Sequence, residues 1–95
     1  MLWFIFSYII STHITWTFLK VSWVRLKDNH LLTIGRYTYT SDQRFRAIHR
    51  AYSEDWMLQI EHTTQKDSGR YECQISTSPP RSNIVYLEIA GSLVD

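Results

Sequence analysis

Short runs of alternating hydrophobic and polar residues make up most of the chain. Turn-forming residues such as Asp28-Asn29, Gly35 and Pro79-Pro80 separate these runs. A period of two predicts β-strands that pack one face on a core, and no window keeps the 3.6-residue period of a helix. The pattern therefore predicts an all-β sandwich or barrel, with strands at residues 21–26, 31–34, 37–40, 45–48, 56–61, 71–76 and 85–89.

The first nineteen residues differ from the rest. They include thirteen apolar residues and no charged side chain. This segment fits a secretory signal, translated sequence that is foreign to the domain, a membrane anchor followed by Lys20, or a β-strand in which Ile14, Trp16 and Phe18 alternate with their neighbours. No Gly, Pro, Asn or Asp precedes Asp28, so the segment contains no ordinary tight turn. We expect residues 1–20 to lie outside the domain, 21–90 to form the domain and 91–95 to be a tail.

Charge and candidate chemistry exclude several classes of function. Ten Lys and Arg against nine Asp and Glu give a net charge of +1, which provides no field to gather nucleic acid. The four histidines, His13, His30, His49 and His62, are too far apart in sequence for one element to present two metal ligands. Cys73 is the only cysteine, so no disulfide forms within the chain. No catalytic motif occurs, and we predict no enzyme activity, cofactor, metal or small-molecule substrate.

One constellation carries a family resemblance. Trp23 lies in an alternating run, and about fifty residues later the run Asp67-Ser68-Gly69-Arg70-Tyr71-Glu72-Cys73 follows the strand pattern Leu58-Gln59-Ile60. This arrangement resembles strand C and the E–F corner of a variable-type immunoglobulin domain, where a buried Trp packs across the core and a Tyr hydroxyl reaches back to the corner backbone. The resemblance implies an Arg44–Asp67 salt bridge and a core that includes Trp23, Leu58, Ile60, Tyr71 and Cys73.

A closer resemblance covers about three quarters of the chain. Residues 31–45, Leu-Leu-Thr-Ile-Gly-Arg-Tyr-Thr-Tyr-Thr-Ser-Asp-Gln-Arg-Phe, are similar to the first immunoglobulin domain of the Dpr (defective proboscis extension response) family of insect neuronal cell-surface proteins. The resemblance implies a recognition module that binds a Dpr-interacting protein, also of the immunoglobulin superfamily, through strands C, C′, C″, F and G in synaptic partner choice. Self-association is a further option. If the N-terminus acts as a signal, the chain is displayed outside the neuronal plasma membrane or secreted.

The expected contact residues follow from strand alternation. Because Trp23 points inward, Val24 and Leu26 on the same strand must point outward. On strand F, Tyr71 and Cys73 point inward, so Gln74 and Ser76 must point outward. On strands C′ and C″ the register is open, because a slip of one residue would exchange Leu32 for Leu31 and Tyr39 for Thr38 or Thr40. The predicted contact residues are Val24, Leu26, Leu32, Tyr39, Gln74 and Ser76.

The chain departs from the family at its N-terminus. The strand B cysteine of a variable-type domain would fall near Ser11, where the chain has none. We therefore expect a sandwich that is incomplete at the N-terminus, with strands C to G present and strands A and B lacking. The alternative function follows from this departure: a truncated isoform or gene-model fragment that has neither a stable fold nor binding activity.

Overall fold

A computed structural model describes residues 8–13, 20–50 and 53–90, and within these ranges the chain is almost entirely β-strand. The predictions of a signal or anchor concern residues 1–7 and 14–19, and the predicted tail is 91–95. All of these residues lie outside the described ranges. One short 3₁₀ helix, Gln65–Asp67, precedes the seventh strand. The eight strands are β1 (Tyr8–His13), β2 (Val21–Arg25), β3 (His30–Ile34), β4 (Tyr37–Thr38), β5 (Phe45–Ile48), β6 (Asp55–Ile60), β7 (Gly69–Ile75) and β8 (Arg81–Leu87).

The strands form two antiparallel sheets. One sheet has three strands in the order β1-β6-β5, and the other has five in the order β4-β3-β2-β7-β8. The five-stranded order is that of strands C″, C′, C, F and G of a variable-type immunoglobulin domain, and β6 and β5 take the places of strands E and D. The predicted all-β, V-set sandwich is confirmed.

Between the sheets lies a single hydrophobic core. Trp23 is 2% exposed, and Leu58, Ile60, Tyr71 and Cys73 are completely buried. The alternation predicted for β6 appears in its burial, since Trp56, Leu58 and Ile60 point inward. The same cluster includes Ile10 of β1 and Phe45 of β5, so both sheets contribute to it.

The N-terminal boundary expected at residue 20 is wrong for residues 8–13. These residues form β1, which pairs along its whole length with β6 from Tyr8↔Ile60 to His13↔Asp55. Ile10 and Thr12 are buried, while Ile9 and Ser11 face solvent. The strand therefore occupies the place of strand B, although it carries no cysteine. The absence of a turn residue did not prevent pairing, because Ile10 and Thr12 supply a buried face of their own.

A register shift in β3 alters the alternation expected there. Trp23 pairs with Thr33 and Val24 pairs with Leu31, so Leu32 lies between them without a partner of its own on β2. In such a bulge two residues oppose one on the neighbouring strand. Consequently Leu32 and Thr33 are both completely buried. The prediction that Leu32 contacts a partner is wrong, and Leu31, the alternative residue, lies on the outward side.

The corner before β7 is held by Asp67. Its carboxylate accepts two hydrogen bonds from the Arg44 guanidinium, at 2.8 and 3.0 Å, and a third from the Thr64 backbone N–H at 2.9 Å. The Tyr71 hydroxyl donates to the Asp67 carbonyl oxygen at 2.6 Å. Gly69 follows at φ +141°, a conformation that side-chain-bearing residues rarely adopt. The corner thus fixes the start of β7 relative to the opposite sheet.

Burial and hydrogen bonding act in opposite directions on Asp67. Burial alone would raise the pKa of its carboxyl, but the hydrogen bonds from Arg44 and Thr64 outweigh it, and the pKa lies below its usual value. A carboxylate with a lowered pKa contributes stability that is present above its unfolded-state pKa and is lost as the pH falls through the folded-state pKa. The salt bridge should therefore stabilise the domain at neutral pH and weaken in acid.

We expect Arg44→Gln to lower the free energy of unfolding at pH 7 by about 3 kcal/mol, because it leaves a buried carboxylate without its cation. The difference from wild type should shrink at pH 3, where protonation removes the unpaired charge. Denaturant unfolding at both pH values measures this, with the exposed Arg46→Gln as control, expected to change stability by less than about 0.5 kcal/mol. An equal loss at both pH values would contradict the assigned role of the ion pair.

Candidate protein-binding face

The outer face of the five-stranded sheet, formed by the side chains that point away from the core, is the candidate binding surface. Strand pairing sets its rows, since residues directly opposite one another on antiparallel strands point to the same side. The central row runs Leu31, Val24, Glu72, Ile84, and the row beside it runs Tyr37, Ile34, Ser22, Gln74, Ser82. Arg70 and Tyr86 form a third pair at the other end of β7.

Large hydrophobic side chains are exposed on this side of the molecule. Within the described ranges five such residues are strongly exposed, and three of them lie on the strands of this sheet: Tyr37 at 80%, Ile84 at 45% and Tyr86 at 75%. A fourth, Tyr39 at 65%, follows β4 directly, while the fifth, Ile9, lies on the other sheet. Tyr37 and Tyr39 lie at the β4 edge of the sheet, and Ile84 and Tyr86 lie on β8 at its other edge. Exposed aromatic side chains are typical of protein interfaces, in which Tyr is enriched.

Polar groups on β7 lie between these side chains. Gln74 donates a hydrogen bond from Nε2 to Oε1 of Glu72 at 2.9 Å, which fixes the two side chains relative to each other. Beside them lies a shallow depression of ≈ 280 Å³, lined by Glu72, Gln74, Pro80, Arg81 and Ser82. The face therefore combines exposed aromatic rings with charged and uncharged hydrogen-bonding groups, as the rims of protein interfaces do.

The backbone fixes the position of Tyr39 although it lies outside β4. Both its N–H and that of Thr40 donate to the Leu32 carbonyl oxygen, at 2.9 and 3.2 Å. The Thr40 hydroxyl contacts Nε2 of His30 at 2.7 Å and accepts a hydrogen bond from the Asp42 backbone N–H. The bulge at Leu32 thus positions the segment that carries Tyr39.

The structure exposes some of the predicted contact residues and buries others. Tyr39, Gln74 and Ser76 are exposed, although the Ser76 hydroxyl accepts a hydrogen bond from the Lys20 backbone N–H at 2.8 Å. Leu26 is half-buried. Val24 points outward in the central row, as predicted, but is only 8% exposed, so little of its side chain is open to a partner in the free chain, and its contact with a partner stays a prediction.

Three exposed residues were missed by the sequence analysis. Ile84 and Tyr86 alternate with Val85 and Leu87, which pack inward, so strand parity could have identified both. Tyr37 lies two residues before Tyr39 and could have been found in the same way. The predicted contact residues included no outward residue of β8, and they included Tyr39 without Tyr37.

Other chemistry finds little support in the structure. The thiol of Cys73 is completely buried, and burial raises its pKa to about 12, so it is a poor nucleophile. Within residues 8–13, 20–50 and 53–90, no three His, Cys, Asp or Glu side chains cluster as metal ligands would. In the same part of the chain no helix is long and apolar enough to cross a membrane.

Comparison with known proteins identifies close relatives. No family model matches the chain. The first immunoglobulin domain of Dpr1, solved bound to DIP-eta, is 40% identical with a TM-score of 0.82, over 86% of this chain and 78% of that one. The first immunoglobulin domain of Dpr11, solved bound to DIP-gamma, is 37% identical with a TM-score of 0.80, over 88% of each chain.

A curated relative comes from a nematode. The Zwei Ig domain protein zig-8 of Caenorhabditis elegans is 33% identical over 70 residues, or 74% of this chain. The chain spans about a quarter (26%) of the length of that protein. Sequence identity over most of both chains, together with the shared two-sheet architecture, establishes that the chain belongs to the Dpr family and corresponds to its first immunoglobulin domain.

Proposed function

We propose that this chain is a cell-surface recognition module whose outer face binds an immunoglobulin domain of the Dpr-interacting type. One observation carries the proposal: four large side chains are exposed at the two edges of the five-stranded C″-C′-C-F-G sheet, Tyr37 and Tyr39 on or beside β4 and Ile84 and Tyr86 on β8. Binding would bury these side chains, and rigid aromatic residues lose little conformational entropy on binding.

The relatives support the choice of partner. The Dpr1 and Dpr11 domains were solved bound to immunoglobulin domains of DIP-eta and DIP-gamma. By analogy, this chain would act outside the cell, at the neuronal surface or as a secreted protein, in the choice of synaptic partners. Its activity would be recognition by binding, with no catalysis, cofactor or nucleic acid.

The alternative function, a fragment without stable fold or activity, makes a different thermal prediction. The core receives side chains from both sheets, including Ile10 of β1, which favours a domain that folds. A single cooperative unfolding transition for the 95-residue chain would support the recognition module, and a gradual, non-cooperative melt would support the fragment.

The proposed function is tested by binding the purified chain to immobilised first immunoglobulin domains of Dpr-interacting proteins, with an immunoglobulin domain of an unrelated superfamily member as negative control. We expect saturable binding to at least one of the Dpr-interacting domains and none to the control. Surface plasmon resonance at physiological salt measures both. A chain that unfolds cooperatively yet binds none of these domains would contradict the proposal.

A further inference from the structure

The described residues form two sheets with four edges, and these edges differ in how they are protected. A free edge strand presents unpaired backbone groups that can pair with another chain, and natural proteins guard such edges with short strands or charged residues. The edge strand β4 is only two residues long, and the edge strand β5 carries the exposed Arg46. Among the described strands, the remaining edges are β1 and β8.

The β1 edge has neither protection. Its six residues, Tyr-Ile-Ile-Ser-Thr-His, include no Lys, Arg, Asp, Glu, Gly or Pro, and the isoleucines and threonine favour extended backbone. Six residue pairs with β6, together with the burial of Ile10 and Thr12, hold the strand in place. Alternate backbone N–H and C=O groups must then point away from β6, to a side where no described strand pairs with them. The edge is a preformed template for another strand.

The fourth edge, β8, lies on the same side of the sandwich as β1. The Asn83 side chain of β8 donates a hydrogen bond from Nδ2 to the Thr12 hydroxyl at 2.9 Å, so β8 runs beneath β1. Residues 82–87 of β8 carry no charge. The strand begins, however, at the exposed Arg81, so among the described edge strands only β1 has neither a charged residue nor a length of two residues.

We propose that β1 pairs antiparallel with β1 of a second copy of the chain, which joins the two three-stranded sheets into one of six strands. A two-fold axis perpendicular to the sheet makes this strand its own partner and keeps both inward faces on the same side. The solvent-facing Ile9 and Ser11 of the two copies then lie side by side, and so do the core-facing Ile10 and Thr12. A strand without charge meets no like-charge repulsion, and the net charge of +1 adds little between copies. This contact does not use the outer face of the five-stranded sheet.

The test measures the dimer dissociation constant by sedimentation velocity, with every protein in a Tyr39→Asp background that removes association through the outer face. In that background we expect a reversible dimer. Ser11→Lys and Ile9→Lys, both exposed on β1, should each raise the dissociation constant at least about tenfold, because the axis brings the new charges together. The matched control Ser41→Lys, also exposed but outside the strands, should leave it unchanged.

Labelling of Cys73 with a thiol reagent shows whether a Lys variant keeps β1 in place, because this thiol lies in the core that β1 helps to cover. A Lys variant that keeps Cys73 unreactive has kept β1 in place. A protein that stays monomeric in the Tyr39→Asp background, or a dimer that is unchanged in either Lys variant with Cys73 still protected, would overturn the proposal.

Discussion

Thr12→Cys is expected to form a disulfide with Cys73 and to raise the free energy of unfolding by about 4 kcal/mol. Thr12 is buried on β1, and its side chain lies near enough to the buried Cys73 to act on the pKa of that thiol. The bond would close a loop of about sixty residues, and a loop of that length loses much conformational entropy in the unfolded chain. Since whole domains are stable by only about 5 to 15 kcal/mol, the gain would be large.

The two redox states of the same variant provide the comparison. Guanidinium unfolding should show the gain in the oxidised variant and its loss with reductant, while wild type should not respond to reductant. Intact mass and thiol titration report whether the bond has formed. Two free thiols after oxidation, or a bond that brings no added stability, would mean that β1 does not lie opposite Cys73 as described.

Replacing an exposed tyrosine of the outer face by aspartate should abolish most partner binding. For Tyr39→Asp and Tyr86→Asp we expect the dissociation constant to rise at least about 30-fold, or about 2 kcal/mol, because each removes a large apolar contact and introduces a charge that must be desolvated. Both side chains are mostly exposed in the free chain, so the fold should be unaffected.

The matched control is Ile9→Asp, which places the same charge at an exposed hydrophobic position on the other sheet. Its affinity should equal that of wild type. Titration calorimetry and a thermal melt of each variant separate loss of binding from loss of fold. If Ile9→Asp weakened binding as much as Tyr86→Asp, the outer face would lose its assignment as the binding surface.

The sequence predicted the features that depend on local pattern. Strand alternation placed Trp23 and Leu58 inside, and the run from Asp67 to Cys73 located the corner, because these patterns follow from the two-residue period of a strand and from tight-turn geometry. The outward position of Tyr39 could be inferred only as one of two registers. Its exposure in the structure depends on backbone hydrogen bonds to Leu32, which no local pattern records.

The features that could not be predicted depend on tertiary contacts. A bulge has no fixed sequence signature, so the burial of Leu32 beside Thr33 could not be predicted from the sequence. Val24 points outward, as strand alternation predicts, but how much of it is exposed depends on the side chains of neighbouring strands. The strand at residues 8–13 forms because β6 offers a partner edge, and the N-terminal sequence alone also fitted a signal or an anchor.

The central claim is that the outer face of the five-stranded sheet binds the partner, and chemical-shift mapping of the ¹⁵N-labelled chain tests it most directly. On addition of a Dpr-interacting immunoglobulin domain, the account predicts the largest shift changes at Tyr39, Gln74, Ile84 and Tyr86. Changes concentrated instead on the opposite sheet, at Ile9, Ser11 and Met57, would contradict it.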